Sequence, residues 1–269
     1  EILYPTKQIG KEMTAALKDN LAAMKEILSP DISYDIVYRV IQIGGRDACL
    51  FFVDGFCKDE MMQKILQYLI GLKPEDIPSD AHGMSKGFMP TVEVDLGQTW
   101  DEIITGLLSG QTVLFLDGFS KCLLIDSRTY PARSVSEPEK EKGLRGSKDG
   151  FVETIVFNTA LVRRRIRSPK LRMEMMRAGE TSKTDIAVCY MEDRVDHKLL
   201  CQIRTRIQNI HVDALTMNQE SLAECLYQGK WFNPFPKFKF TERPDTAAAC
   251  LLGGKVVILG DNSPSATIL

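Results

Sequence analysis

The feature that most restricts the fold is a pattern written twice along the chain. Leu107 to Asp117 reads LLSGQTVLFLD and Leu251 to Asp261 reads LLGGKVVILGD, each a helical run, a glycine stop, an apolar strand and an acidic turn. FFVDGFCKDEMMQKI, ending at Ile65, parallels YMEDRVDHKLLCQI, ending at Ile203, as strand, acidic turn and helix. Period-two and period-3.6 segments alternate in both halves, and each needs an apolar layer to pack on. The pattern therefore predicts two α/β subdomains. The identities are few, so duplication and convergence on a common α/β grammar both account for the likeness.

Between the halves, Arg128 to Lys148 is rich in proline, serine and charge and has no periodicity. The expected organisation is an N-terminal α/β subdomain over 1–130, a linker over 131–148 and a C-terminal α/β subdomain over 149–269. Each is expected to hold a mixed sheet with packed helices, the two being joined by the linker and a long helix. In the first half the patterns predict helices over 7–28, 59–72 and 100–109, with strands over 31–43, 48–53, 112–116 and 121–126 and a short one at VEVDL. Residues 74–90 read as loop. In the second half they predict strands over 170–177 and 185–191, helices over 196–208 and 219–227, a helix ending at Gly253-Gly254, and two closing strands.

The long helix is expected to start in the capping region of Ser147 and Asp149 and to stop near Arg167, because Pro169 moves Ser168 out of the helical region. Phe151, Ile155, Val162 and Ile166 give it one buried stripe over about 28 Å. From Leu161 to Arg172 there are six basic residues and no acidic one. Arg163, Arg164 and Arg165 fan over more than half of the circumference, so they cannot all face water while Val162 and Ile166 are buried. At least one guanidinium is expected to be held by a carboxylate or by backbone carbonyls. An internal salt-bridge role and an external anionic partner, either lipid head groups or an acidic face of another subunit, both fit the run.

Little else suggests chemistry. A net charge of −2 gives no general pull towards nucleic acid. Phe235, Phe238 and Phe240 alternate with Lys237 and Lys239, which in a strand reads as a core face backed by solvated lysines rather than a base-stacking platform. The seven cysteines show no CxxC and no ligand spacing, so reduced thiols in a reducing compartment are expected. His82, His197 and His211 lack metal-ligand spacing, and the Asp80, His82 and Ser85 group is triad-like in residue type alone. The sequence predicts no catalytic, cofactor or metal site. No stretch approaches the roughly eighteen apolar residues of a membrane helix, and residues 1–10 do not read as a signal peptide, so the chain by itself reads as cytosolic.

RGSKDGFVETIVFNTALVRRRIRSPKLRMEMMRAGETSKTDIAVCYMEDRV closely resembles the central block of spore germinant-receptor A subunits, the GerA-type family. The likeness continues in NPFPKFKFTERPDTAAACLLGGKVVILGD, in FFVDGF and in LLSGQTVLFLDGFSKCLLIDSR, so it covers almost the whole chain. Ser147 stands where the family commonly has proline. The resemblance implies an amino-terminal domain on the cytosolic face of the spore inner membrane, followed in the full-length protein by several membrane spans. It implies B and C subunits as partners, with further A subunits and a small nutrient as additional candidates. It also implies a non-enzymatic role in receptor assembly and signal coupling during nutrient-triggered germination, or alternatively a two-lobed nutrient-binding module. Arg145, Glu153, Asn158, Arg163, Arg164 and Arg165 are the candidates for contacts between subunits or subdomains.

Overall fold

The computed structural model describes residues 11–87, 93–129, 149–210 and 238–269. The chain divides into two compact units: Glu1–Asp31 with Asp35–Tyr130, and Ile32–Tyr34 with Pro131–Leu269. Three residues from within the expected 1–130 subdomain thus belong to the second unit. The expected linker over 131–148 and the expected helix over 219–227 lie outside the described residues.

In the first unit α1 (Leu17–Leu28) precedes β1 (Ile36–Ile43) and β2 (Arg46–Val53). Then come α2 (Asp59–Gly71), α3 (Ala81–Gly87), β3 (Val94–Gly97), α4 (Trp100–Leu108), β4 (Thr112–Leu116) and β5 (Cys122–Ile125). The sheet order is β1-β2-β4-β5-β3, antiparallel at every junction. Gly44 and Gly45, at φ 51° and 77°, make the two-residue hairpin turn between β1 and β2, a conformation that L side chains adopt at a cost. Ile41, Ile43, Leu50, Leu114 and Leu123 form one buried face with Ile65 and Leu69 of α2 and Met84 of α3. The other face carries Phe51 and Phe115, edge to face at 6.1 Å, and packs on α1 and α4.

The second unit repeats this plan. It contains α5 (Ile155–Arg165), β6 (Leu171–Ala178), β7 (Thr184–Met191), α6 (His197–Gln208), β8 (Lys239–Thr241), α7 (Pro244–Leu252), β9 (Val257–Gly260) and β10 (Ala266–Ile268). Its order, β6-β7-β9-β10-β8, is the first sheet's order shifted by five strands, and again every pairing is antiparallel. Helices α5 and α7 cover one face through Ile155, Val162, Ala247 and Leu251. Helix α6 covers the other through Leu200, Ile203 and Ile207. The two-subdomain α/β architecture stands. The sheets are antiparallel rather than mixed: β3 and β4, joined across α4, and β8 and β9, joined across α7, run the same way, but β5 and β10 lie between them and pair antiparallel with both.

Five local expectations change, the first being that the strand expected over 31–43 is confined to Ile36–Ile43. The first helix starts at Leu17, since residues 11–13 run extended against 98–100, with Met13 N donating to Gln98 O at 2.9 Å and Trp100 N to Lys11 O at 3.2 Å. The part of that expected helix before Lys11 lies outside the described residues. The expected loop over 74–90 contains α3, begun by Asp80, whose carboxylate takes the Gly83 N–H at 2.8 Å, and anchored by buried Ala81 and Met84. Phe240 is 42 % exposed on the edge strand β8, not part of a core face; Phe235 and Lys237 lie outside the described residues. The long helix begins at Ile155, not in the Ser147 and Asp149 region.

Candidate functional site

The late start of α5 follows from two side chains. Asn158, fully buried, accepts from Val152 N at 2.8 Å and donates to the Val152 carbonyl, holding the chain six residues upstream in an extended turn. Asp261, in the turn after β9, accepts from Ile155 N at 3.2 Å, although 106 residues separate them. Thr154, at the N-cap, makes no side-chain cap bond, so the remote aspartate supplies the acceptor that the first helical N–H groups lack.

The first unit contains the same device. Asn20, 2 % exposed, accepts from Thr14 N at 2.9 Å and donates to Thr14 O at 2.7 Å, again across six residues. Asp117, in the turn after β4, accepts from Leu17 N at 2.9 Å. Sharing topology and an Asn–Asp clamp, the two units are structural repeats. The acidic turns were visible in the sequence as strand ends, but their helix-capping role was not.

The repeats diverge further along the helices. Eight residues beyond the start of α1 stands Lys25, its ammonium 4.7 Å from the Tyr38 ring centroid. At the same step on α5 stands Arg163, 1 % exposed. Its guanidinium donates to Ser168 O at 3.2 Å, to Leu171 O at 3.2 Å and to Ser33 Oγ at 3.4 Å. Ser33 Oγ in turn accepts from Met173 N at 3.0 Å, and Tyr34 N donates to Met173 O at 3.0 Å. The Tyr34 and Thr159 hydroxyls are 2.6 Å apart. β6 is an edge strand, so residues 33 and 34 satisfy backbone groups that its free side would otherwise present. Arg163 fastens this cover by its planar fork, which reaches several acceptors at once.

The other candidates spread out from this point. Arg165 grips both Asp149 oxygens, at 2.6 and 2.7 Å, and the Leu161 carbonyl at 2.8 Å. Arg164 and Glu153 have exposed side chains, and the Glu153 carbonyl accepts from Asn262 N at 2.7 Å. Arg145 lies outside the described residues. Asn158, Arg163 and Arg165 thus hold the second unit together internally, while the side chains of Glu153 and Arg164 are exposed. Sequence reasoning missed Ser33 and Tyr34, which carry no local signal of their role.

The geometry around the histidines offers no alternative centre. Ser85 Oγ donates to the His82 carbonyl at 2.9 Å, so Asp80 and Ser85 both serve the backbone of α3. Among the described residues no group of three His, Cys, Asp or Glu side chains could hold a metal ion. No helix among them is long and apolar enough to cross a membrane.

Comparison with known proteins gives a consistent set of matches. Residues 22–269 match the family model of the Bacillus/Clostridium GerA spore germination protein. Stage V sporulation protein AF of Bacillus subtilis (strain 168) is 38% identical over 88% of this chain and 48% of its own length. Spore germination protein B1 of the same organism is 31% identical over 96% of this chain and 53% of its own. The chain thus spans about half the length of these relatives. The crystal structure of the N-terminal domain of the A subunit of the Bacillus megaterium spore germinant receptor GerK3 superposes with a TM-score of 0.67 and 26% identity, covering 97% of both chains.

Proposed function

The chain belongs to the GerA spore germination protein family, and from that premise we propose that it acts as the assembly and signal-coupling domain of a germinant-receptor A subunit. Its fold is that of the N-terminal domain of such a subunit. The observation that carries the reading is the Arg163 node. A buried guanidinium ties α5, the β6 edge and residues 33–34 into one hydrogen-bonded unit, an arrangement suited to transmitting a displacement and not to turning over a substrate. In this proposal the domain stands on the cytosolic face of the spore inner membrane, carries no catalytic function of its own, and uses Glu153 and Arg164 to meet the B and C subunits.

The test uses the full-length protein in spores. Arg164→Glu is expected to leave A-subunit level unchanged while reducing co-purification of B and C and the response to nutrients. Arg163→Met is expected to lower the level of the A subunit itself. Normal co-purification and normal germination in Arg164→Glu spores would refute the contact assignment. The 38% identity to stage V sporulation protein AF favours a second reading, in which the domain serves sporulation itself. A deletion strain separates the two: loss of spore yield supports the second reading, and normal spores with a weak nutrient response support the first.

A further inference from the structure

The repeat supplies an internal control for a groove in the first unit. Between α2 and the α2-facing side of β1 and β2 lies a cavity of about 680 Å³, lined among others by Arg39, Phe52, Asp54, Met62, Leu66 and Ile70. That volume is within the range of small-molecule sites. In the second unit side chains at the equivalent positions bond to one another. Arg204 of α6 donates to Glu174 of β6 at 2.8 Å and to the Tyr190 hydroxyl of β7 at 3.0 Å, with its guanidinium 5.7 Å from that ring.

The correspondence follows from register. Arg39 and Glu174 each stand at the fourth position of their strand, opposite Leu50 and Val188. Phe52 and Tyr190 are each next to last in theirs. Leu66 and Arg204 each lie seven residues beyond the helix start. All three positions change together: the strand acid becomes a strand cation, the helix arginine becomes leucine, and the hydroxyl is lost. The first unit therefore has an open groove, apolar along Phe52, Met62, Leu66 and Ile70 and with the exposed Arg39 at its edge, where its twin has a partly exposed ion pair. Among the described residues nothing pairs with the Arg39 guanidinium.

We propose that this groove binds a small organic carboxylate, with the carboxylate on Arg39 and an apolar body along Phe52, Met62, Leu66 and Ile70. The lining is polarised. Asp54 lies four residues beyond the Arg39 partner Leu50, about 13 Å along the strand, and Asp59 opens α2 at that same end. Acidic groups there repel an anion and direct it to the Arg39 end, where a guanidinium fork matches a carboxylate. The site lies within the first unit, so it goes beyond the assembly reading and is tested without spores.

The experiment titrates the 269-residue chain with 4-phenylbutanoate, using 4-phenylbutylamine as the cationic control, and follows binding by calorimetry and by amide chemical shifts. Shifts confined to α2, β1 and β2 are expected with the carboxylate and not with the amine. Arg39→Gln is expected to weaken binding about tenfold or more, the loss of one charge-assisted contact. The double variant Arg39→Glu/Leu66→Arg rebuilds the twin's ion pair and is expected to abolish binding while circular dichroism stays that of the wild type. Equal binding of acid and amine, equal binding by Arg39→Gln, or no groove shifts at millimolar ligand would each overturn the proposal.

Discussion

Replacing Arg163 by methionine tests the reading of α5 most directly. The change keeps most of the side-chain length and removes the donors. Three of the bonds lost are to neutral acceptors, Ser168 O, Leu171 O and Ser33 Oγ, at 3.2 to 3.4 Å. Two terms oppose each other. Burying a guanidinium costs several kcal/mol of hydration, and its removal returns that cost. The carbonyls remain, however, and cannot be replaced along with their donor. Each keeps a second partner: Ser168 O takes the Leu171 N–H at 3.2 Å and Leu171 O takes the Ser33 hydroxyl at 3.5 Å. The methionine variant should therefore lose about 1–3 kcal/mol, near the cost of a partly orphaned buried acceptor pair. Arg163→Ala adds a cavity where the methylene stem lay and should lose about 2–5 kcal/mol. Urea unfolding gives the totals, and amide hydrogen exchange along β6 locates them, because releasing Ser33 exposes the Met173 N–H first. A methionine variant within about 0.5 kcal/mol of wild type, with unchanged β6 exchange, would refute the reasoning.

The repeated asparagines should behave alike: Asn20→Ala and Asn158→Ala each leave one part-buried N–H and one part-buried carbonyl without their asparagine partner and should cost about 1–3 kcal/mol in urea unfolding, whereas two neutral variants would show the clamp to be incidental. Asp261→Ala removes a remote helix cap and should cost about 1 kcal/mol, read as faster exchange in the first turn of α5, with unchanged exchange counting against the cap. Burial pushes the Asp54 carboxyl above its ordinary value of 3.8, with Asp35 and Asp59 adding to the rise and the Gly55 N–H resisting it. Stability from such a group is present below its ordinary value and is lost as pH rises through the folded one. Asp54→Asn should therefore raise Tm at pH 7, with no gain below the ordinary value; an equal gain at both pH values would contradict this. Thiol titration of the denatured, unreduced chain should return all seven cysteines, and a lower count would reveal a disulfide or modified thiol.

Sequence alone determined the features that depend on near neighbours. Strand alternation, acidic turns and the twin LLSGQTVLFLD and LLGGKVVILGD segments were enough for two α/β units. Family motifs were enough for the kinship. The crowding of three arginines beside Val162 and Ile166 directed attention to α5, where Arg163 is the one fully buried. What remained were contacts made across long stretches of chain. The start of α5 depends on Asp261, one partner of Arg163 is a serine 130 residues earlier, and nothing around Ser33 marks it as the cover of a sheet edge. Helix α3 was missed because only tertiary burial of Ala81 and Met84 makes so short a segment stable. The groove was invisible for the same reason, since Arg39, Phe52 and Leu66 acquire meaning only when strand register sets them beside α2 and beside the ion-paired counterpart in the second unit. Local periodicity sets which element a segment forms, whereas the partner of a buried polar group is set by the packing of elements far apart in sequence.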